Sequence, residues 1–232
     1  FTNKKSFTNN SRYLLVGSNS IFENRIMSAN YMLNKHKVIS FNHANYSPLV
    51  YGEPLQELGE FSFSNFYINC GNLNFKKKYF KSNYFHPKIF NCNFYENTIE
   101  KEIKNTKIIF TPDSFHGNYR HGPWRDMEDI EYYNFQKKIL SFDKTIKIKP
   151  HPKQRYENLS LKTKHKKNDL IFGPISNFLN IKNTFIIDRL SQVFFTVADT
   201  NSKIIFLDLG VRMIKKEILK LLKKRTVYIK IT

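Results

Sequence analysis

Apolar residues gather along this chain in short runs, each closed by a polar or glycine-containing turn. Arg12-Tyr-Leu-Leu-Val16 runs into Gly17-Ser-Asn-Ser20 and predicts a strand and its turn. Phe22, Ile26, Ala29, Tyr31, Met32 and Leu33 approximate helical spacing, with Glu23 at the start. Lys37-Val-Ile-Ser-Phe41 predicts a second strand, running into Asn42-His43, and Phe66-Tyr-Ile-Asn69 a third, closed by Gly71. Residues 72–106 carry little periodicity, and a junction between two lobes is expected near 95–105.

Beyond the junction the alternation sharpens. Strands are predicted at 107–111, 145–149, 169–172, 184–187 and 203–207, and helices at 127–140, 192–199 and 211–222. In the helix at 127–140, Ile130, Tyr133, Phe135 and Ile139 are expected to face inward. Strands separated by helix-length connections imply parallel sheets. The expected fold is therefore α/β, with two Rossmann-like lobes over residues 1–100 and 101–232 and an incomplete first lobe.

Composition narrows the function classes. The 232 residues are 41% hydrophobic and 25% charged, enough for a packed core and against general disorder. No apolar run approaches the roughly 18 residues of a membrane span. The N-terminus is polar, without a signal-peptide core, and lacks a starting Met, so the chain reads as a fragment or a processed chain. Two cysteines, Cys70 and Cys92, exclude a disulfide scaffold and a four-cysteine zinc site and fit a reducing, cytoplasmic compartment.

The net charge of +19 invites a nucleic-acid reading. Of the 38 basic residues, however, 30 are Lys and 8 are Arg, and Asn, Phe, Tyr and Ile are also abundant. Lys, Asn, Phe, Tyr and Ile have AT-rich codons, so base composition alone accounts for the bias, whereas base-reading proteins favour the planar fork of Arg. No specific nucleic-acid partner is expected. A basic surface does suit a phosphorylated donor, or peripheral contact with an anionic inner-membrane face.

Ligands of open parallel sheets bind beyond the carboxyl ends of the strands. Four polar clusters stand there: Asn42-His43, Pro112-Asp113-Ser114, Lys149-Pro150-His151-Pro152-Lys153 and Asp188-Arg189-Leu190-Ser191. Two prolines restrict the backbone around His151 and hold it beside two Lys side chains, which suits a phosphate or diphosphate. The alternative is a proline-rich turn with a solvated His. Ser191 opens a predicted helix, where it serves either as an N-cap or as an anion contact, and Arg189 adds a charge to the same anion. His43 is a candidate general base or a hydrogen-bonded loop residue. His116, Arg120 and His121 crowd one loop without nearby Cys, and no metal or cofactor is expected there. Dinucleotide, P-loop and nucleophile-elbow signatures are absent from the sequence.

The order Thr111-Pro-Asp-Ser-Phe115, Gly117-Asn-Tyr-Arg120, Ile148-Lys-Pro-His-Pro152, Ile187-Asp-Arg-Leu-Ser191 and Ile205-Phe-Leu-Asp208 resembles the donor-binding lobe of bacterial surface-polysaccharide glycosyltransferases. These enzymes have the GT-B architecture of two Rossmann-like lobes. The nearest branches are capsule and lipopolysaccharide sugar transferases, including Kdo- and hexose-transferring types, and CDP-glycerol glycerophosphotransferases. The resemblance covers residues 105–210, and more weakly Ser40-Phe-Asn-His43 and Phe66–Gly71, with Ala44 in place of the family's Gly. It implies transfer of a nucleotide-activated sugar or polyol phosphate to a glycan or lipid-linked acceptor. It makes His43 the base, while Lys149, His151 and Ser191 hold the donor phosphates. Lys153, Arg189, Ser114 and Arg120, at or just beyond the same strand ends, complete the expected phosphate-binding set. Thr196 stands where the family carries a Glu near the donor's ribose. Two alternatives remain: an inactive remnant of that fold and a basic nucleic-acid-binding protein.

Overall fold

The computed structural model describes residues 12–17, 19, 22–41, 49–50, 58–59, 61–70, 85–92, 107–115, 128–151 and 170–231. The protein is α/β and divides into two compact units, each built on a parallel sheet. One unit comprises Phe1–His43, Glu53–Cys70 and Lys81–Cys92; the other comprises Ala44–Gly52, Gly71–Phe80 and Asn93–Thr232.

The first unit carries β1 (Tyr13–Val16), α1 (Phe22–Leu33), β2 (Lys37–Phe41), β3 (Phe66–Cys70) and β4 (Lys88–Cys92). Its four strands lie side by side in chain order, all parallel. β4 falls in the stretch that carried no readable pattern. Its five residues are flanked by Lys and Asn, which dilute the period-two signal. Helix α1 forms where its spacing predicts it but does not bury its apolar residues. Phe22 and Ile26 are 64% and 55% exposed, while Ser28 is fully buried. The Ser28 hydroxyl donates to Asn19 Oδ1 at 3.0 Å, and Asn19 Nδ2 donates to the Ser62 carbonyl at 2.6 Å. A small hydroxyl thus lets the helix sit close over a buried amide whose polar atoms must be satisfied.

The second unit contains β5 (Ile108–Thr111), α2 (Asp129–Phe142), β6 (Ile146–Ile148), a 3-10 turn (Ile175–Phe178), β7 (Thr184–Ile187), α3 (Gln192–Ala198), β8 (Lys203–Asp208), α4 (Lys216–Arg225) and β9 (Val227–Lys230). The strands at 107–111, 145–149, 184–187 and 203–207 were expected to share one parallel sheet, and they do, in the order β6-β5-β7-β8-β9. The strand expected at 169–172 is reduced to a single parallel bridge from Leu170 to Ile148 on the outer side of β6. With that bridge the sheet has a doubly wound order that reverses between β5 and β7.

Both faces of this sheet are covered, as period-two burial requires. Ile109, Phe185, Ile187, Ile204 and Phe206 point to one side, against Phe194, Phe195 and Val197 of α3 and Ile218 and Leu222 of α4. Phe110, Ile186 and Leu207 point to the other, with Ile146 and Ile148 of β6 and Ile139 of α2. In α2, Tyr132 and Gln136 are buried alongside Tyr133 and Ile139, whereas Ile130, expected to face inward, is exposed. The helix expected at 211–222 starts later. Ile214 bridges to Val50 and the Lys215 N–H donates to the Leu49 carbonyl at 3.1 Å, which keeps the chain out of the helix until Lys216. Among the described residues no helix is long and apolar enough to cross a membrane.

Candidate functional site

In doubly wound sheets a crevice opens beyond the strand carboxyl ends where the strand order reverses, because the connections on either side diverge to opposite faces. Here that point lies between β5 and β7. β5 delivers Thr111, Pro112 and Asp113; β7 delivers Asp188 and Arg189; β6, on the other flank of β5, delivers Lys149, Pro150 and His151. A cavity of about 90 Å³ lies among these ends and is closed by Ser191, Gln192 and Val193 at the start of α3. A second cavity of about 440 Å³ shares Lys149, Pro150, His151 and Val193 with the first. Its other wall is apolar: Ile171, Phe172, Pro174 and Ile175, with Gly173.

The Lys149 N–H donates to the Phe110 carbonyl at 2.8 Å, so the β6 ladder carries Lys149 to the sheet edge in strand register. Pro150 has no N–H with which to continue. The pairing ends there, and His151 is half-buried between the two cavities. Lys149 is buried, 8% exposed.

A hydrogen-bonded cluster joins the ends of β5 and β7 to α2. The Tyr132 hydroxyl donates to Asp188 Oδ2 at 2.5 Å. The Asp113 N–H donates to the Tyr132 oxygen at 2.6 Å and to Asp188 Oδ1 at 3.2 Å. Asp113 Oδ1 accepts the Ser114 N–H at 2.8 Å, and Oδ2 forms an ion pair with Arg189. Burial pushes the Asp188 carboxyl up to about 7, because an anion there has lost its hydration; the Tyr132 hydroxyl, which favours the anion, acts in the opposite direction.

Of the expected site residues, Lys149, His151, Arg189 and Ser191 come together around the small cavity. Ser191 acts as the N-cap of α3, its Oγ accepting the Phe194 N–H at 3.4 Å. Ser114 is buried and does not line the cavity; its neighbour Asp113 takes that place. His43, Arg120 and Lys153 lie outside the described residues. Thr196 is 2% exposed, donates to the Gln192 carbonyl at 2.9 Å and lines neither cavity.

The sequence pattern does not mark Asp113, Asp188 and Tyr132 as site residues. The two Asp side chains were visible in strand-end clusters, but nothing in the sequence distinguishes an Asp that pairs with Arg189 from one that only closes a turn. Tyr132 reads as an ordinary core aromatic of an amphipathic helix. Asp208, at the end of β8, instead closes its own turn, accepting the Gly210 N–H at 2.9 Å and the Tyr228 hydroxyl. Among the described residues no three His, Cys, Asp or Glu side chains are grouped to hold a metal ion. Comparison of the sequence with protein-family models and with curated proteins returns no match.

Proposed function

We propose that the second unit binds a nucleotide-activated sugar or polyol phosphate and that the protein transfers it to a surface glycan. The observation that carries this reading is the pair of cavities meeting at Lys149-Pro150-His151, beyond the point where the strand order reverses. The larger, apolar-walled cavity has the volume range and the few convergent polar groups of a small-molecule site and suits a nucleoside. Lys149 and His151, on the shared wall, suit the phosphates. Arg189, paired with Asp113, lines the small cavity as well. As a donor loses its transferred group, charge grows on the leaving phosphate, and cationic donors fixed before the reaction stabilise it without reorganising. An acceptor hydroxyl needs a base, the role the family resemblance gives to His43.

His151→Ala tests the reading. Loss of one charge-assisted contact weakens binding by about ten- to a hundredfold. The measurement is calorimetric titration of wild type and variant with CMP-, CDP-, UDP- and GDP-linked donors, with melting curves for both. Binding of a donor by wild type and its loss in the variant supports the reading; equal binding by both makes His151 a turn residue.

One observation favours a second reading, a donor-binding remnant without turnover. Position 196, where the family's ribose contact is expected, faces the interior here. Donor binding without hydrolysis or transfer would select it.

A further inference from the structure

We propose that the Asp113–Arg189 pair makes the small cavity selective for phosphate esters that carry a neighbouring hydroxyl, over phosphates of equal charge without one. The proposal rests on the reading above and deepens it by naming the chemistry of the group that enters the smaller cavity.

The walls of this cavity are not uniformly cationic. Lys149 and His151 line it from β6, whereas the β5 and β7 ends contribute a carboxylate already paired with a guanidinium. Two carboxylates line the cavity, and they differ in reach. Asp188 is 6% exposed, with Oδ2 taking the Tyr132 hydroxyl and Oδ1 the Asp113 N–H. The Asp113 side chain is 21% exposed, and that of Arg189 16%. Asp113 is therefore the carboxylate a ligand meets.

Its position is tightly set. The backbone N–H is held by Tyr132 and Asp188, Oδ1 is held by the Ser114 N–H, and Oδ2 faces Arg189. A carboxylate is an acceptor only, with about four lone-pair sites. A phosphate oxygen brought against it meets like charge; a hydroxyl donates to it at no such cost. Arg189 supplies donors for the phosphate beside that hydroxyl. At about 90 Å³ this cavity is much smaller than its neighbour of about 440 Å³, which suits a short hydroxylated group rather than a nucleoside. The ligand then lies with its nucleoside in the larger cavity, its phosphates along Lys149 and His151, and its hydroxylated group toward Asp113.

Glycerol 3-phosphate and n-propyl phosphate carry the same charge on the same three-carbon chain and differ only in hydroxyls. In calorimetric titration of the full chain, glycerol 3-phosphate is expected to bind about tenfold more tightly, the worth of one charge-assisted hydrogen bond. Asp113→Asn should bring the two esters within about threefold of each other and tighten inorganic pyrophosphate, because a repelling charge is gone. A purely structural Asp113 would instead weaken all three ligands together, and that result overturns the proposal. So does equal affinity of wild type for the two esters, or binding of neither. Nucleotide donors titrated in parallel separate the two claims. If they fail while the ester preference holds, the donor reading falls and the selectivity stands; if they bind and the preference is absent, the selectivity falls alone.

Discussion

Replacing Phe194 by alanine is expected to lower stability by about 3–5 kcal/mol. The ring is fully buried and sits edge-on to Phe195 and Phe206, with centroids 5.4 and 5.6 Å away. It lies in the cluster that fixes α3 and α4 to one face of the second sheet. Truncation removes both the transfer free energy of a phenyl ring and its packing partners, because neighbours as rigid as Phe195 and Phe206 collapse only partly into the space. Since Ser191, Gln192 and Val193 open the same short helix, ligand binding should weaken along with stability. Urea unfolding of wild type and Phe194→Ala reads the difference directly. A loss below about 1 kcal/mol would mean that the space refills and that α3 is not pinned by this ring.

The second large effect depends on pH. Burial lifts the Asp188 carboxyl from an ordinary 3.8 to about 7, so between these values the folded protein holds a proton that the unfolded chain has released. The unfolded state then binds fewer protons, and this group's contribution to stability falls as pH rises from about 4 to about 7 and levels off above. The size is roughly 2–4 kcal/mol for a carboxyl buried this deeply. Asp188→Asn cannot ionise and lacks that slope, although it loses part of the Tyr132 and Asp113 hydrogen bonding by an amount that does not vary with pH. Stability curves for both proteins from pH 4 to 8 should therefore diverge, with the variant gaining on wild type toward pH 7. Parallel curves would show that the hydrogen bonds from Tyr132 and Asp113 hold Asp188 ionised throughout.

The second unit was largely legible in the sequence. Runs such as Lys107-Ile-Ile-Phe-Thr111 and Thr184-Phe-Ile-Ile187 are buried on both faces, which leaves a continuous apolar signal ending abruptly in polar residues. Those polar ends line the candidate site, so one pattern marks both the strand and the candidate chemistry. Two kinds of feature were not legible. β4 and β9 are five- and four-residue strands interrupted or bordered by Lys, too short for a period to show. Long-range pairing was also hidden: the contact of Leu49 and Val50 with Ile214 and Lys215 delays α4, and no local pattern encodes it. The site followed the same division. Lys149 and His151 were marked by their flanking prolines. The Asp113, Asp188 and Tyr132 cluster depends on three elements meeting, and residue spacing along the chain does not record that meeting.

Lys149 is the buried lysine of the wall shared by the two cavities. The decisive measurement is titration of wild type and Lys149→Met with CDP-, UDP- and GDP-linked donors, beside urea unfolding of both. Methionine keeps the unbranched apolar stem and removes only the ammonium, so the fold is expected to persist while affinity for the preferred donor falls about ten- to a hundredfold. Equal donor affinity in the two proteins, or a wild type that binds none of the donors, would contradict the assignment of this wall to donor phosphates.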